Sequence, residues 1–206
     1  MATLLRAAEK AGKIKTRQKS VSFWVTEFSW DSKPPDPGGL PMKTLTRWTS
    51  EAMYRAWTAG VSKFFWLTLR DWPRDGYLPF SQTYESGLYF RGRSVEQDRP
   101  KGNLKAFQFP FVAFPGKQGI RIWGRTSSSS SGKVKLTYKT GRAWKRLTVV
   151  KADKNGMFTS MVKTGLARKL AKRKKADIRA TFRGDTSRAF SLRPVKDFYQ
   201  PPFGRG

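Results

Sequence analysis

The chain has 206 residues, 38% of them hydrophobic and 14% aromatic, enough to fill the cores of one or two domains. It contains no cysteine and no histidine, which excludes disulfides, Cys/His zinc sites and every nucleophile that relies on a histidine base; acid and base chemistry falls to carboxylates, lysine or tyrosine. The formal charge of +28 is unevenly spread: residues 1–116 hold 18 Lys+Arg against 10 Asp+Glu, and residues 117–206 hold 24 against 4, so two modules meet near Pro115-Gly116.

No apolar run approaches the roughly 20 residues of a membrane span. Met1 to Ser20 is basic but lacks the apolar centre of a secretion signal, and Leu4, Leu5, Ala8 and Ala11 fit an amphipathic helix over residues 2–11. A basic linker then leads to a strand from Val21 to Phe28. Within it, Phe23-Trp24-Val25-Thr26-Glu27-Phe28-Ser29-Trp30 brings one carboxylate to the strand's C-terminal end. The loop Lys33-Pro34-Pro35-Asp36-Pro37-Gly38-Gly39 follows at once, its prolines barring regular pairing and its glycines freeing the backbone. From Lys43 to Ala59, Leu45, Trp48, Ala52, Met53 and Ala56 fall on one helical face, and Gly60 ends the helix. Val61 to Leu69 is an apolar run of the kind covered on both faces in a parallel sheet. The order strand, loop, helix, strand predicts a βαβ unit. A polar, aromatic loop from Arg70, a short extended piece at Ser86 to Phe90, and a covering helix over residues 101–109 complete the first region.

The second region differs in kind. Short alternating runs occur at 119–125, 132–139, 143–151, 157–163, 176–183 and 186–192, separated by turn residues. Val134, Leu136 and Tyr138 take one face while Lys133, Lys135 and Lys139 take the other. This rhythm predicts an antiparallel β-sandwich of the immunoglobulin or fibronectin type over residues 117–193, followed by an irregular tail at 194–206.

Trp24 to Trp30, the Pro/Gly loop, and Trp66 to Asp71 together resemble the last quarter of a retaining (β/α)8 glycoside hydrolase, of the actinobacterial type that carries a small C-terminal β-domain. The resemblance covers about residues 1–116 and implies a fold of α/β plus all-β class: a partial (β/α)8 barrel, then the sandwich. It implies a carbohydrate substrate, with Glu27 as the nucleophile at the end of the seventh strand and Trp66, ending the eighth, flooring the sugar subsite. Trp30 lines the same site, and Arg70 and Asp71 orient the nucleophile or bind hydroxyls. A full barrel takes about 250 residues, and retaining hydrolysis needs a second carboxyl about 5–5.5 Å from the first. The strand that supplies that acid has no counterpart here. The chain is therefore expected to be a C-terminal fragment, a split gene product or a degenerate relative, inactive by itself; in the split case the missing barrel portion lies on another chain. The hydrolase likeness implies an extracellular or cell-wall address. Neither cofactor nor metal is expected.

Each candidate has a plainer reading. A lone strand-end Glu is more often a loop cap or salt-bridge partner; Trp48 and Trp57 read as packing residues; Asp31 and Asp36 read as turn formers; Asp71, beside Arg70, reads equally as half of a structural ion pair. The stretch Arg168-Lys169-Leu170-Ala171-Lys172-Arg173-Lys174-Lys175 reads as a solvated loop. Alternatively, Arg168, Lys169, Lys172, Arg173, Lys174 and Lys175 hold an anionic polysaccharide or nucleic acid, making the sandwich a non-catalytic binding module.

Overall fold

The computed structural model describes residues 2–16, 21–73 and 78–193. The tail expected at 194–206 lies outside the described residues.

In the first region α1 (Ala2–Lys10) precedes β1 (Trp24–Phe28), α2 (Met42–Thr58) and β2 (Lys63–Trp66). β1 and β2 pair in parallel, Trp24 opposite Lys63 and Val25 opposite Phe64, so α2 is the crossover of a βαβ unit, as the strand and helix periods predict. Gly60, at φ +77, takes the left-handed position just past the helix end. α3 (Gly102–Gln108) packs beside α2. Short paired segments brace the loops: Ser32–Lys33 with Leu40–Pro41, and Tyr89–Phe90 with Arg99–Pro100.

Among the described residues this parallel sheet has two strands, and no closed barrel forms. The apolar run expected to be strand over residues 61–69 is strand only from Lys63 to Trp66, and it is covered on one face instead of two. Trp24 and Phe65 are each 47% exposed, because the helices cover only the side where Phe28, Phe64 and Trp66 gather.

The rest of the chain is antiparallel. β3 (Phe111–Gly116), β4 (Gly119–Arg125) and β7 (Met157–Val162) form one sheet in the order β7-β4-β3. β5 (Gly132–Lys139), β6 (Lys145–Ala152) and β8 (Asp177–Phe182) form the other, β6-β5-β8, with Asp185–Thr186 and Phe190–Ser191 added along β8. β3 lies ahead of residue 117 yet pairs with β4 along its length. Inward residues alternate as the sequence predicts: Ile120 and Ile122, Val134 and Leu136, Ile178, Ala180 and Phe182 join one core, against which Met53 and Tyr54 of α2 pack. Two close approaches constrain this core. Gly119, at φ +145, would place a Cβ 2.1 Å from the Val162 carbonyl oxygen, and Gly124 would place one 2.4 Å from the Phe158 ring.

The basic stretch at 168–175 is helical instead of a loop. α4 (Gly165–Arg173) begins where the Thr164 hydroxyl accepts from the Ala167 N–H at 3.1 Å and ends at Lys174 in the left-handed conformation. Ala167, Leu170 and Ala171 bury one stripe while the charged side chains stay exposed. The contrast between regions is physical. Few apolar side chains among the described residues of 21–108 are fully buried (Leu45, Leu88, Ala106), and they share that interior with Ser32, Asp71, Glu85, Ser86, Lys101 and Asn103.

Candidate functional site

The strand register sets the geometry at Glu27. Between Val25 and Phe28 the pairing slips, so Thr26 and Glu27 together stand opposite Phe65 before Phe28 pairs with Trp66. One extra residue on one strand is a β-bulge, which re-aims a side chain that strict alternation would turn the other way. Thr26 and Glu27 are both exposed, as are Trp24 and Phe65, while Val25, Phe28, Phe64 and Trp66 are half-buried. Lys63 places its ammonium 4.3 Å from the centre of the Trp24 ring, on this open side. Glu27 makes no hydrogen bond or ion pair to the described residues, so its carboxylate faces solvent at the C-terminal end of β1.

Trp30 and Trp66 lie in a different layer. Their rings are 6.3 Å apart, and both touch Phe28, Trp30 at 4.7 Å and Trp66 at 6.2 Å. Trp30 reaches Trp48 of α2, and Trp66 reaches Phe107 of α3. The Trp66 indole N–H donates to the Ser86 carbonyl at 2.7 Å. These rings anchor the strand ends to the helices. Trp57, expected in the interior, is 47% exposed at the end of α2, where its ring meets Tyr54 and Trp123.

Arg70 and Asp71 are both engaged by the scaffold. Arg70 donates to Asp98 at 2.7 Å, and the same Asp98 oxygen accepts the Gly92 N–H. That backbone hydrogen bond, with Arg70 adding to it, holds the Asp98 carboxyl below the usual range. Asp71 is 2% exposed. Its Oδ1 accepts from the Lys101 ammonium at 2.5 Å and from the Gly87 N–H at 2.9 Å. Lys101, itself 1% exposed, spends its remaining protons on the Ser32 hydroxyl at 2.7 Å and the Glu85 carbonyl at 2.8 Å. Three donors thus meet three acceptors, the condition under which an ammonium is tolerated in an interior. Burial still lowers the Lys101 pKa, with Asp71 pulling it back. One lysine ties together the loop after β1, the loop after β2, the segment at residue 85 and the start of α3.

Beside this knot a cleft of about 600 Å³ is lined by Asp31, Asp36, Trp72, Phe80, Thr83 and Tyr84. Trp72 and Tyr84 meet edge to face at 4.7 Å. Burial raises the Asp31 pKa, and nearby Asp36 adds to the rise. Asp36 also accepts the Gly38 N–H at 2.7 Å, the turn-forming role its position predicts. Neither this cleft nor Lys101 is foreseen from the sequence.

On α4, Arg168, Lys169, Lys172 and Arg173 are exposed, as are Lys174 and Lys175 just beyond it. Arg168, Lys172 and Lys174 join Lys117 around a cleft of about 580 Å³ that no acidic residue lines. Of the aromatic residues on the sheet strands and their turns, Trp123 is buried, Tyr138 packs against the core, and Trp144 carries the Arg179 guanidinium 4.0 Å from its ring centre. Among the described residues no cluster of three or more Asp or Glu has the arrangement to hold a metal. No described helix is long and apolar enough to cross a membrane.

No family model matches this chain, and no curated protein matches it. Among solved structures it is similar to Bacteroides uniformis beta-glucuronidase 2, covalently bound to cyclophellitol-6-carboxylate aziridine, at 12% identity and a TM-score of 0.33. The likeness covers 92% of this chain and 24% of that glycoside hydrolase, so the chain spans about a quarter of its length.

Proposed function

We propose that the chain belongs to a retaining O-glycosidase lineage in which Glu27 is the nucleophile. The observation that carries this reading is the bulge in β1, which leaves a carboxylate with no hydrogen-bond or ion-pair partner among the described residues at the C-terminal end of a strand in a parallel βαβ unit. In the reaction the Glu27 carboxylate attacks the anomeric carbon, the bond to the leaving oxygen breaks, and a carboxylic acid protonates that oxygen. Water, deprotonated by the same group, then releases the sugar. Trp30 and Trp66 fix the strand ends from the layer behind Glu27, while Arg70 and Asp71 position the surrounding loops. The βαβ unit is the last part of a (β/α)8 barrel, and the two antiparallel sheets are a fibronectin-like sandwich. The acid comes from a further barrel strand, which the two parallel strands β1 and β2 do not supply, so the described residues alone do not turn over unactivated glycosides. A 2-deoxy-2-fluoro dinitrophenyl glycoside, whose leaving group needs no proton, tests the nucleophile in the whole chain. The expected result is one fluorosugar on Glu27 by peptide mass, abolished in Glu27→Gln. Labelling at another residue, or none across the common hexopyranosides, removes Glu27 from the role.

The exposed cations of α4, with their cleft, favour a second reading in which the basic region holds the protein on anionic polymer. Failure of the whole chain to be retained on an acidic polymer at low salt would dismiss it.

A further inference from the structure

We propose that the outer face of the sheet β6-β5-β8 binds a nucleic-acid duplex through its phosphates. This is independent of the glycosidase reading, and it uses a surface other than α4, which packs against β3 and β4.

The register determines what that face presents. Outward Lys133, Lys135 and Lys139 of β5 alternate with inward Val134, Leu136 and Tyr138. Across one edge Lys151 stands opposite Lys133, and Arg146 opposite Thr137; across the other Arg179 stands opposite Thr137, and Asp177 opposite Lys139. Six cations therefore share the face with one carboxylate, and none of them forms an ion pair with the described residues. The nearby Asp185 is committed to Lys105 and Ser127. Lys133 and Lys151 are a directly opposed like-charge pair, which weakens a sheet unless an anion sits between them. With strands about 4.8 Å apart and about 3.4 Å per residue, these groups cover roughly 20 by 10 Å.

Charge density and chemistry select the partner. A duplex carries one negative charge per about 1.7 Å of axis, a density suited to a patch this crowded. A polysaccharide with one acid group per ring is far sparser. The face also lacks a free stacking surface. Trp144, at its end, is covered by Arg179 at 4.0 Å and Lys139 at 5.3 Å, and Val149 is the apolar side chain facing out between Lys135 and solvent. Unstacked single strands and sugar rings both rely on such surfaces. Binding through phosphate alone is insensitive to sequence.

The test is the salt dependence of binding between the whole chain and a random-sequence DNA duplex. The triple variant Lys133→Gln, Lys135→Gln, Lys151→Gln is expected to make the slope of log K against log salt shallower by roughly 2.7, about 0.9 for each phosphate left without its lysine. Its thermal stability should hold or rise, since the opposed lysines are gone. The matched triple Arg168→Gln, Lys169→Gln, Lys172→Gln is expected to leave the slope nearly unchanged. An equal effect of both triples would show that net charge, not this face, drives binding. An unchanged slope in the first triple, or tighter binding of polygalacturonate than of duplex at equal salt, would equally overturn the proposal.

Discussion

Replacing Lys101 with methionine tests how the first region is held together. The side chain is 1% exposed, and its ammonium is shared by Asp71, Ser32 and the Glu85 carbonyl at 2.5, 2.7 and 2.8 Å. Methionine fills much of the same volume, so the loss is chiefly electrostatic. Asp71, 2% exposed, would keep the Gly87 N–H as its remaining hydrogen bond, and the Glu85 carbonyl would lose a donor in the interior. Removing one member of a buried pair destabilises by about 3–5 kcal/mol, a large share of a typical domain's stability. Urea unfolding followed by tryptophan fluorescence measures it, because Trp66 and Trp72 flank Asp71 in the chain. The double variant Lys101→Met, Asp71→Leu should recover part of the loss, since the stranded charge is then absent. A loss below about 1 kcal/mol for Lys101→Met, or a double variant less stable than the single one, would refute the reasoning.

Three other outcomes follow from the same geometry. Gly119→Ala forces a Cβ to within 2.1 Å of the Val162 carbonyl oxygen at a positive φ, so the turn between β3 and β4 must distort; a loss of at least about 1–3 kcal/mol is expected by chemical denaturation. Thr164→Ala removes the α4 cap and should lower stability by about 1 kcal/mol, read as a shift in the urea midpoint with unchanged slope. Burial works to raise the Asp185 pKa, but hydrogen bonds from Lys105 and Ser127 prevail and hold it below its ordinary value of 3.8. Its stabilising effect is then present above that value and lost as the pH falls through the folded-state value. Asp185→Asn should therefore lose no more than about 1 kcal/mol at neutral pH, the carboxylate being partly exposed, and converge on the wild type in strong acid.

Much of the fold was legible because its elements have clean periods. Alternation at Val134, Leu136 and Tyr138 located β5, and the spacing of Leu45, Trp48 and Ala52 located α2. The βαβ order followed from these periods and the intervening loop. α4 was hidden by charge, although Ala167 just before the basic run and Leu170 and Ala171 within it already stand at helical spacing. The bulge at Thr26-Glu27 was not legible, since regular alternation would set Glu27 apart from Thr26. The Lys101 knot was beyond local reading: its acceptors lie 69, 30 and 16 residues away, and no short-range pattern links such positions. The outer sheet face occupied a middle ground. Its lysines were assigned to the solvent side, but their meeting with Arg146, Lys151 and Arg179 depends on strand order.

Among the described residues one margin of β1 is unpaired, which bears on how copies of this protein behave toward one another. An open strand edge beside the exposed Trp24 is a template on which a second edge can assemble. Identical molecules of charge +28 repel before such margins meet. That repulsion reaches about 30 Å at roughly 0.01 M ionic strength and about 3 Å in roughly 1 M salt. The surplus of lysine and arginine thus acts as a guard against self-association, and concentrated electrolyte disarms it.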